Sequence, residues 1–101
     1  MNITSESSPN GDKLTIRVAG PFDFKCHADF RRAYESKATP SRQIVVDLGD
    51  AEYIDSSALG MLLLLREHSG GANASVTITN ARPAVAKILR VANFHQLFAL
   101  S

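Results

Sequence analysis

Two adjacent serines, Ser56 and Ser57, follow Asp55 at the point where a strand-like run gives way to a strongly apolar helical run. Ser and Asp at the start of a helix commonly accept hydrogen bonds from N–H groups that would otherwise be unpaired. A serine hydroxyl in the same place can also act as a nucleophile or accept a phosphate group. Capping accounts for these residue types, but it does not account for the helix that follows them.

The helix predicted over residues 56–68 has an unusual outward side. At about 100° per residue, with Leu59 at its edge, the core side contains Ala58, Met61, Leu62 and Leu65. The opposite side, called here the outward strip, contains Ser56, Gly60, Leu63, Leu64 and Glu67. A glycine inside a helix costs about 1 kcal/mol relative to alanine, and exposed leucines favour a docking surface. The pattern therefore predicts close approach by a partner, although tight packing within the domain would also explain Gly60.

Ser57 projects between the core side and the outward strip, so the helical periodicity prefers Ser56 as the group that a partner meets.

The elements that must position this helix alternate between strands and helices. Strands are predicted over Lys13–Ala19, Gln43–Leu48 and Ser75–Thr79, and helices over Cys26–Ser36, Ser56–His68 and Pro83–Asn93. The second strand is expected to be buried on both faces, and Gly20-Pro21 is expected to end the first strand. Gly49-Asp50 is expected to form a turn, after which Ala51–Ile54 extends or re-enters the sheet. The sequence does not decide whether short strands form at Asn2–Thr4 and in the final LFAL. Alternation of this kind predicts an α/β fold with crossover helices packed on a sheet.

Composition excludes several classes of function. The chain has 101 residues, 45% of them hydrophobic and 21% charged, which fits one globular domain over residues 1–101. A formal net charge of +1 gives no general attraction to nucleic acid or to an anionic membrane. The longest apolar run, Met61–Leu65, is too short for membrane insertion, and the N-terminus lacks a signal sequence. The single Cys26 cannot form an internal disulfide, which is compatible with a reducing compartment, and these features together predict a cytoplasmic domain.

The segment IVVDLGDAEYIDSSALGMLLLLREH resembles the core signature of the STAS domain family of bacterial anti-sigma factor antagonists. That signature is a strand ending in aspartate, a short loop, and Asp-Ser-Ser-Gly-Leu-Gly opening an apolar helix. KLTIRVAGPFDF is similar to the family's first long strand and Gly-x-x-Asp turn, and SVTITNARPAVAKILRVANFHQLFAL to its closing strand, helix and tail. The resemblance implies a STAS-type sandwich, in which a mixed β-sheet carries helices mainly on one face.

The resemblance also implies a phosphorylation-controlled binding switch rather than an enzyme, working without a cofactor in a partner-switching pathway that regulates transcription. In the family, the serine after the aspartate is phosphorylated by a partner serine kinase, often the anti-sigma factor itself, and a serine phosphatase reverses this. That serine is Ser56 here. Together with the outward strip, the motif gives the expected partner-binding residues Asp55, Ser56, Ser57, Gly60, Leu63, Leu64 and Glu67. Ala58 stands where the family commonly has glycine, which bears on partner choice rather than on the mechanism.

Two alternatives give Ser56 a different role. Some STAS domains are subunits of transporters and are not phosphorylated, and there Ser56 would only cap the helix. A hydrolase using Ser56 would need a nearby base, but neither serine lies in a Gly-x-Ser-x-Gly motif. His27, His68 and His95 lack metal-ligand spacing, and no glycine motif for nucleotides is found. The switch is therefore the favoured hypothesis, and the transporter subunit is its main rival.

Overall fold

Five strands and three α-helices are formed by the residues that the computed structural model describes, which are 3–35, 43–73 and 75–101. The strands are β1 Ile3–Ser7, β2 Lys13–Phe22, β3 Gln43–Ile54, β4 Val76–Thr79 and β5 Ala99–Leu100. The helices are α1 His27–Glu35, α2 Ser56–His68 and α3 Pro83–Val91. Short 3-10 turns occupy Phe24–Cys26, Gly71–Asn73 and Phe94–Gln96. The predicted alternation of strands and helices is confirmed.

The strands lie in one mixed sheet in the order β1-β2-β3-β4-β5. β1 is antiparallel to β2, and the remaining neighbours are parallel. Each helix connects a strand to its next neighbour, always in the same direction across the sheet. Because such crossovers are right-handed, all three helices pack on the same face. The predicted α/β class, with helices on one face of a mixed sheet, is therefore confirmed.

The prediction that β3 is buried on both faces is wrong. Ile44, Val46 and Leu48 are buried against the helices, whereas Val45 and Asp47 on the opposite face are only half-buried. The reason is the one-sided placement of the helices: within residues 3–35, 43–73 and 75–101, no helix covers the other face of the sheet. Because β-branched residues occupy both faces of this strand, its sequence does not show which face is covered.

The expected breaks at Gly20-Pro21 and Gly49-Asp50 are also wrong, because both strands run through them. The register between β2 and β3 shifts twice, and each shift places one extra residue in β3. One shift falls between Gly20, whose φ is 76°, and Pro21, which suits two residues that disturb a regular ladder. The bulges let β2 and β3 continue side by side until Phe22 pairs with Ile54.

The remaining boundaries agree with the sequence to within a few residues. α1 begins after a 3-10 turn and is described as far as Glu35, so the predicted end at Ser36 lies outside the described residues, as does Asn2 of the early strand. The two strands left open are β1 and β5. Asn93 follows α3 with a left-handed φ of 63°, which reverses the chain as expected. Among the described helices, none has the length and apolar character needed to cross a bilayer.

Candidate functional site

α2 begins at the paired ends of β2 and β3, and Asp55 holds its first turn. The Asp55 backbone is extended, and its N–H donates to the carbonyl of Phe22 at 3.3 Å. The Asp55 carboxylate oxygen Oδ1 accepts hydrogen bonds from the Ala58 N–H at 3.0 Å and the Ser57 hydroxyl at 2.7 Å. Asp55 is therefore the N-cap of α2, and Ser57 supports it.

Ser56 has a different environment from Ser57, although the two are adjacent. Ser57 is half-buried and its hydroxyl is engaged by Asp55, whereas Ser56 is exposed at the first position of the helix. Within the described part of the chain, the Ser56 hydroxyl forms no side-chain hydrogen bond. The helix start thus leaves the Ser56 oxygen open to an incoming group.

The hydrogen bonds at the cap lower the pKa of Asp55 below its usual value. The Ser57 hydroxyl makes the largest contribution, followed by the Ala58 N–H. Both donors stabilise the carboxylate form of Asp55. Since the pKa is lower in the folded chain, the cap stabilises the fold above the unfolded pKa, and this contribution is lost as the pH falls through the folded pKa.

The wheel assignment of α2 is confirmed. Its core side is fully buried and consists of Ala58, Met61, Leu62 and Leu65. Leu63 and Leu64 are 38% and 52% exposed, Ser56 and Glu67 are exposed, and Gly60 is half-buried. Two leucines and a hydroxyl thus share one accessible strip that runs along the helix from its first turn.

Gly60 is not required by packing within the described residues. A Cβ placed on Gly60 would meet no atom within 4 Å other than its own helix and chain neighbours. Internal packing, which was one explanation left open by the sequence, therefore does not account for the glycine. Gly60 weakens the helix by about 1 kcal/mol relative to alanine and leaves bare backbone on the outward strip.

Two exposed aromatic side chains beside the start of α2 were missed by sequence reasoning. Phe24 is 68% exposed and Tyr53 is 47% exposed, and they flank the paired ends Phe22 and Ile54. Aromatic side chains commonly pack in the core, and Phe24 does not. Asp23 caps the 3-10 turn by accepting a hydrogen bond from the Lys25 N–H at 3.0 Å, and this turn buries Cys26 while Phe24 points outward. The sequence signal that could have predicted this turn is Asp23, a capping residue placed directly after the end of β2.

This chain belongs to the STAS domain family, in agreement with both its fold and its site motif. The family model described as "Mlab, STAS domain" matches residues 6–100. A STAS-domain-containing protein of Pseudomonas aeruginosa strain UCBPP-PA14 is 55% identical over 101 residues, covering 100% of both chains.

Solved structures share the fold at low sequence identity. A Thermotoga maritima protein, described as a candidate anti-sigma factor antagonist, has a TM-score of 0.80 and 15% identity, over 97% of this chain and 84% of its own. A sulfate transporter family protein of Wolinella succinogenes has a TM-score of 0.75 and 10% identity, over 93% of this chain and 80% of its own. The same architecture thus occurs in both classes that the sequence left in competition.

Ser57→Ala should raise the pKa of Asp55 toward its usual value, because the mutation removes the strongest donor to the carboxylate. The stabilising contribution of the cap at neutral pH should shrink, and its loss on acidification should be complete at a higher pH. Carboxyl-carbon NMR titration and thermal melts across acidic pH measure both effects. Ser56→Ala is the matched control and should leave the Asp55 pKa unchanged. A shift in the control alone would contradict the assignment of the cap.

Gly60→Ala should raise the free energy of unfolding by up to about 1 kcal/mol, because the site has room for the methyl group. Gly71→Ala is the matched control. Gly71 has a φ of +60°, where alanine is strained by about 1–2 kcal/mol, so the same change should destabilise the fold. Denaturant unfolding of both variants gives the comparison. A destabilising Gly60→Ala would mean that the fold itself needs this glycine.

Proposed function

We propose that this protein is a phosphorylation-controlled binding switch of the anti-sigma factor antagonist type, not an enzyme. Unmodified Ser56 lets the outward strip bind an anti-sigma factor or a switch kinase in the cytoplasm. Phosphorylation of Ser56 by a serine kinase releases the partner, and a serine phosphatase restores binding. The observation that carries the proposal is the division of roles at the start of α2: Asp55 and Ser57 form the cap, while the Ser56 hydroxyl is exposed beside two exposed leucines.

The fold tolerates a phosphate at Ser56. A phosphoserine carries about −1.5 to −2 charges at pH 7. At the first position of α2 this charge faces the positive end of the helix dipole and the N–H groups of the first turn. Since the cap bonds belong to Asp55 and Ser57, the phosphate replaces no existing side-chain hydrogen bond. Modification therefore leaves the structure of α2 in place.

The same phosphate opposes binding. Leu63 and Leu64 make the outward strip partly apolar, so a partner covering it removes Ser56 from water as well. Removing a neutral hydroxyl from water costs little if the partner forms one hydrogen bond with it, whereas a phosphate must lose the solvation of nearly two charges. Covering the strip also strengthens the repulsion between the phosphate and the neighbouring Asp55 carboxylate, because less water then screens the two charges. The switch thus acts on the interface rather than on the fold.

A constitutive subunit of a transporter complex is the second candidate, favoured by the structural similarity to a sulfate transporter family protein. In that case the outward strip stays covered by its partner, and Ser56 is not modified. A hydrolase has less support: His68 contacts the ring of Tyr34, with 4.9 Å between ring centroids, and lies at the opposite end of α2 from both serines. Phosphorylation state in the native cell separates the first two candidates.

Ser56→Asp should impair partner binding strongly, and Ser56→Ala should retain it. The aspartate adds charge to the strip but is favoured by the helix dipole by about 0.3–1 kcal/mol, while the alanine should alter stability by no more than about 0.5 kcal/mol. Stability and affinity should therefore move in opposite directions for the aspartate variant. Thermal melts and binding titrations against the partner captured by Ser56→Ala measure this.

Ser7→Asp serves as the charge control for this pair. Ser7 is exposed in β1 at the opposite end of the sheet, and its substitution should not change binding. Equal affinities of Ser56→Asp and Ser56→Ala would contradict the switch and support the transporter subunit. Aspartate carries less charge than phosphate, so wild-type protein phosphorylated in vitro should bind more weakly still.

A further inference from the structure

The charges of this chain are divided along its length. Three of the eleven Lys and Arg residues, and none of the ten acidic residues, lie after Glu67. Residues 69–101 therefore carry a formal charge of +3, and the preceding residues carry −2. Two of these cations, Lys87 and Arg90, are exposed on α3. The described residues form four salt bridges, and none of them involves either cation.

α3 also exposes apolar side chains. Val85 and Leu89 are buried, whereas Ile88 is 37% exposed and Val91 is 76% exposed. Ile88 and Val91 are one turn apart and share a flank of the helix. A single exposed apolar residue is ordinary, but Ile88 and Val91 are neighbours on the helix surface, and the described residues leave both exposed.

One side of α3 carries Ala86 and Arg90, which line a small groove beside Leu100 at the β5 edge of the sheet. Ile88 and Val91 lie away from that groove, and Lys87 lies between them and Arg90 on the outward face of the helix. Leu97, which is 39% exposed, follows α3 by six residues and lies beside the C-terminal part of α2, because its carbonyl accepts a hydrogen bond of 3.2 Å from Nε of Arg66.

We propose that Ile88, Val91 and Leu97, with Lys87 and Arg90, form a second docking surface, the α3 patch, that binds an acidic amphipathic helix of a partner protein. The apolar residues supply anchors for the apolar face of such a helix, and the one-turn spacing of Ile88 and Val91 suits helix-on-helix contact. The two cations, without acidic neighbours in sequence, complement its Asp and Glu residues.

An anionic membrane fits this surface less well. Each Lys or Arg near such a membrane contributes about 1 kcal/mol, and three partly exposed apolar side chains add too little buried area for stable attachment. A protein helix instead covers the apolar side chains and meets the cations with its own carboxylates. Charge and apolar area together therefore favour a protein partner.

Ser56 is distant from the α3 patch. Arg66, which contacts Leu97, lies ten residues after Ser56, so it is about 15 Å from Ser56 along α2. This exceeds the screening length of about 8 Å at physiological ionic strength. Charge added at Ser56 should thus leave the α3 patch unaffected, and this inference stands whether or not Ser56 is phosphorylated.

The test uses a displayed library of helix-forming peptides of about 16 residues, roughly four turns. The library is selected on the wild-type chain and counter-selected on Val91→Asp. We expect enrichment of peptides with Asp and Glu on one face and Leu, Ile or Phe at helical spacing on the other. In titrations of the enriched peptides, Val91→Asp should weaken binding at least about tenfold, as for a central apolar anchor. Lys87→Glu should weaken binding severalfold and reduce its dependence on salt.

Ser56→Asp and Leu64→Asp are the controls and should bind the peptides like the wild type. Since Lys87 is exposed, Lys87→Glu keeps the test decisive even if Val91→Asp loosens α3. The proposal is overturned if no acidic amphipathic peptides are enriched, or if they bind both α3 variants as tightly as the wild type. Loss of binding in Ser56→Asp would place the peptides at the other site. Two further results would overturn the proposal. In each, Val91→Asp leaves peptide binding unchanged but abolishes either self-association in sedimentation or binding to phosphatidylglycerol vesicles.

Discussion

The Asp55 carboxylate fixes the start of α2, and the properties of the site depend on this one interaction. It accepts the N–H of Ala58 and the hydroxyl of Ser57, so the helix begins at Ser56 without using the Ser56 side chain. The position of Asp55 depends in turn on the two bulges between β2 and β3, which bring Phe22 and Ile54 together at the end of the sheet. An exposed serine is thus held on a rigid element by bonds that do not involve its own oxygen.

Several residues around this serine are not explained by the stability of the fold. Gly60 has open space above it, Leu63 and Leu64 face solvent, and Phe24 and Tyr53 extend an apolar surface beyond the helix. Each could be replaced by a residue that favours folding or solubility more. Natural proteins retain such residues where binding requires them, at the expense of stability. Their grouping along α2 and beside its first turn is the physical basis for the proposed interface, and the α3 patch shows the same character near the other end of α2.

Much of this arrangement could be predicted from the sequence, for reasons that differ between elements. The sides of α2 follow from helical periodicity, because a helix with leucine at so many positions must still bury only one side. The bulges at Gly20-Pro21 and in β3 could not be predicted, since Gly and Pro break an isolated strand but are tolerated where a neighbour adjusts its register. The exposure of Val45 depends on which face the helices cover, and the exposure of Phe24 depends on a turn set by Asp23. Those features arise from tertiary packing rather than from local pattern. The difference between Ser56 and Ser57 was indicated by periodicity, but the hydrogen bond that separates them appears only in the structure.

The most direct test of the central claim is site-resolved phosphopeptide mass spectrometry of this protein purified from its native cells under conditions that activate and silence the pathway. The account predicts phosphate on Ser56, at an occupancy that changes between conditions, and none on Ser57, whose hydroxyl is held by Asp55. Phosphate on Ser57 alone, or an unmodified Ser56 under every condition, would contradict it.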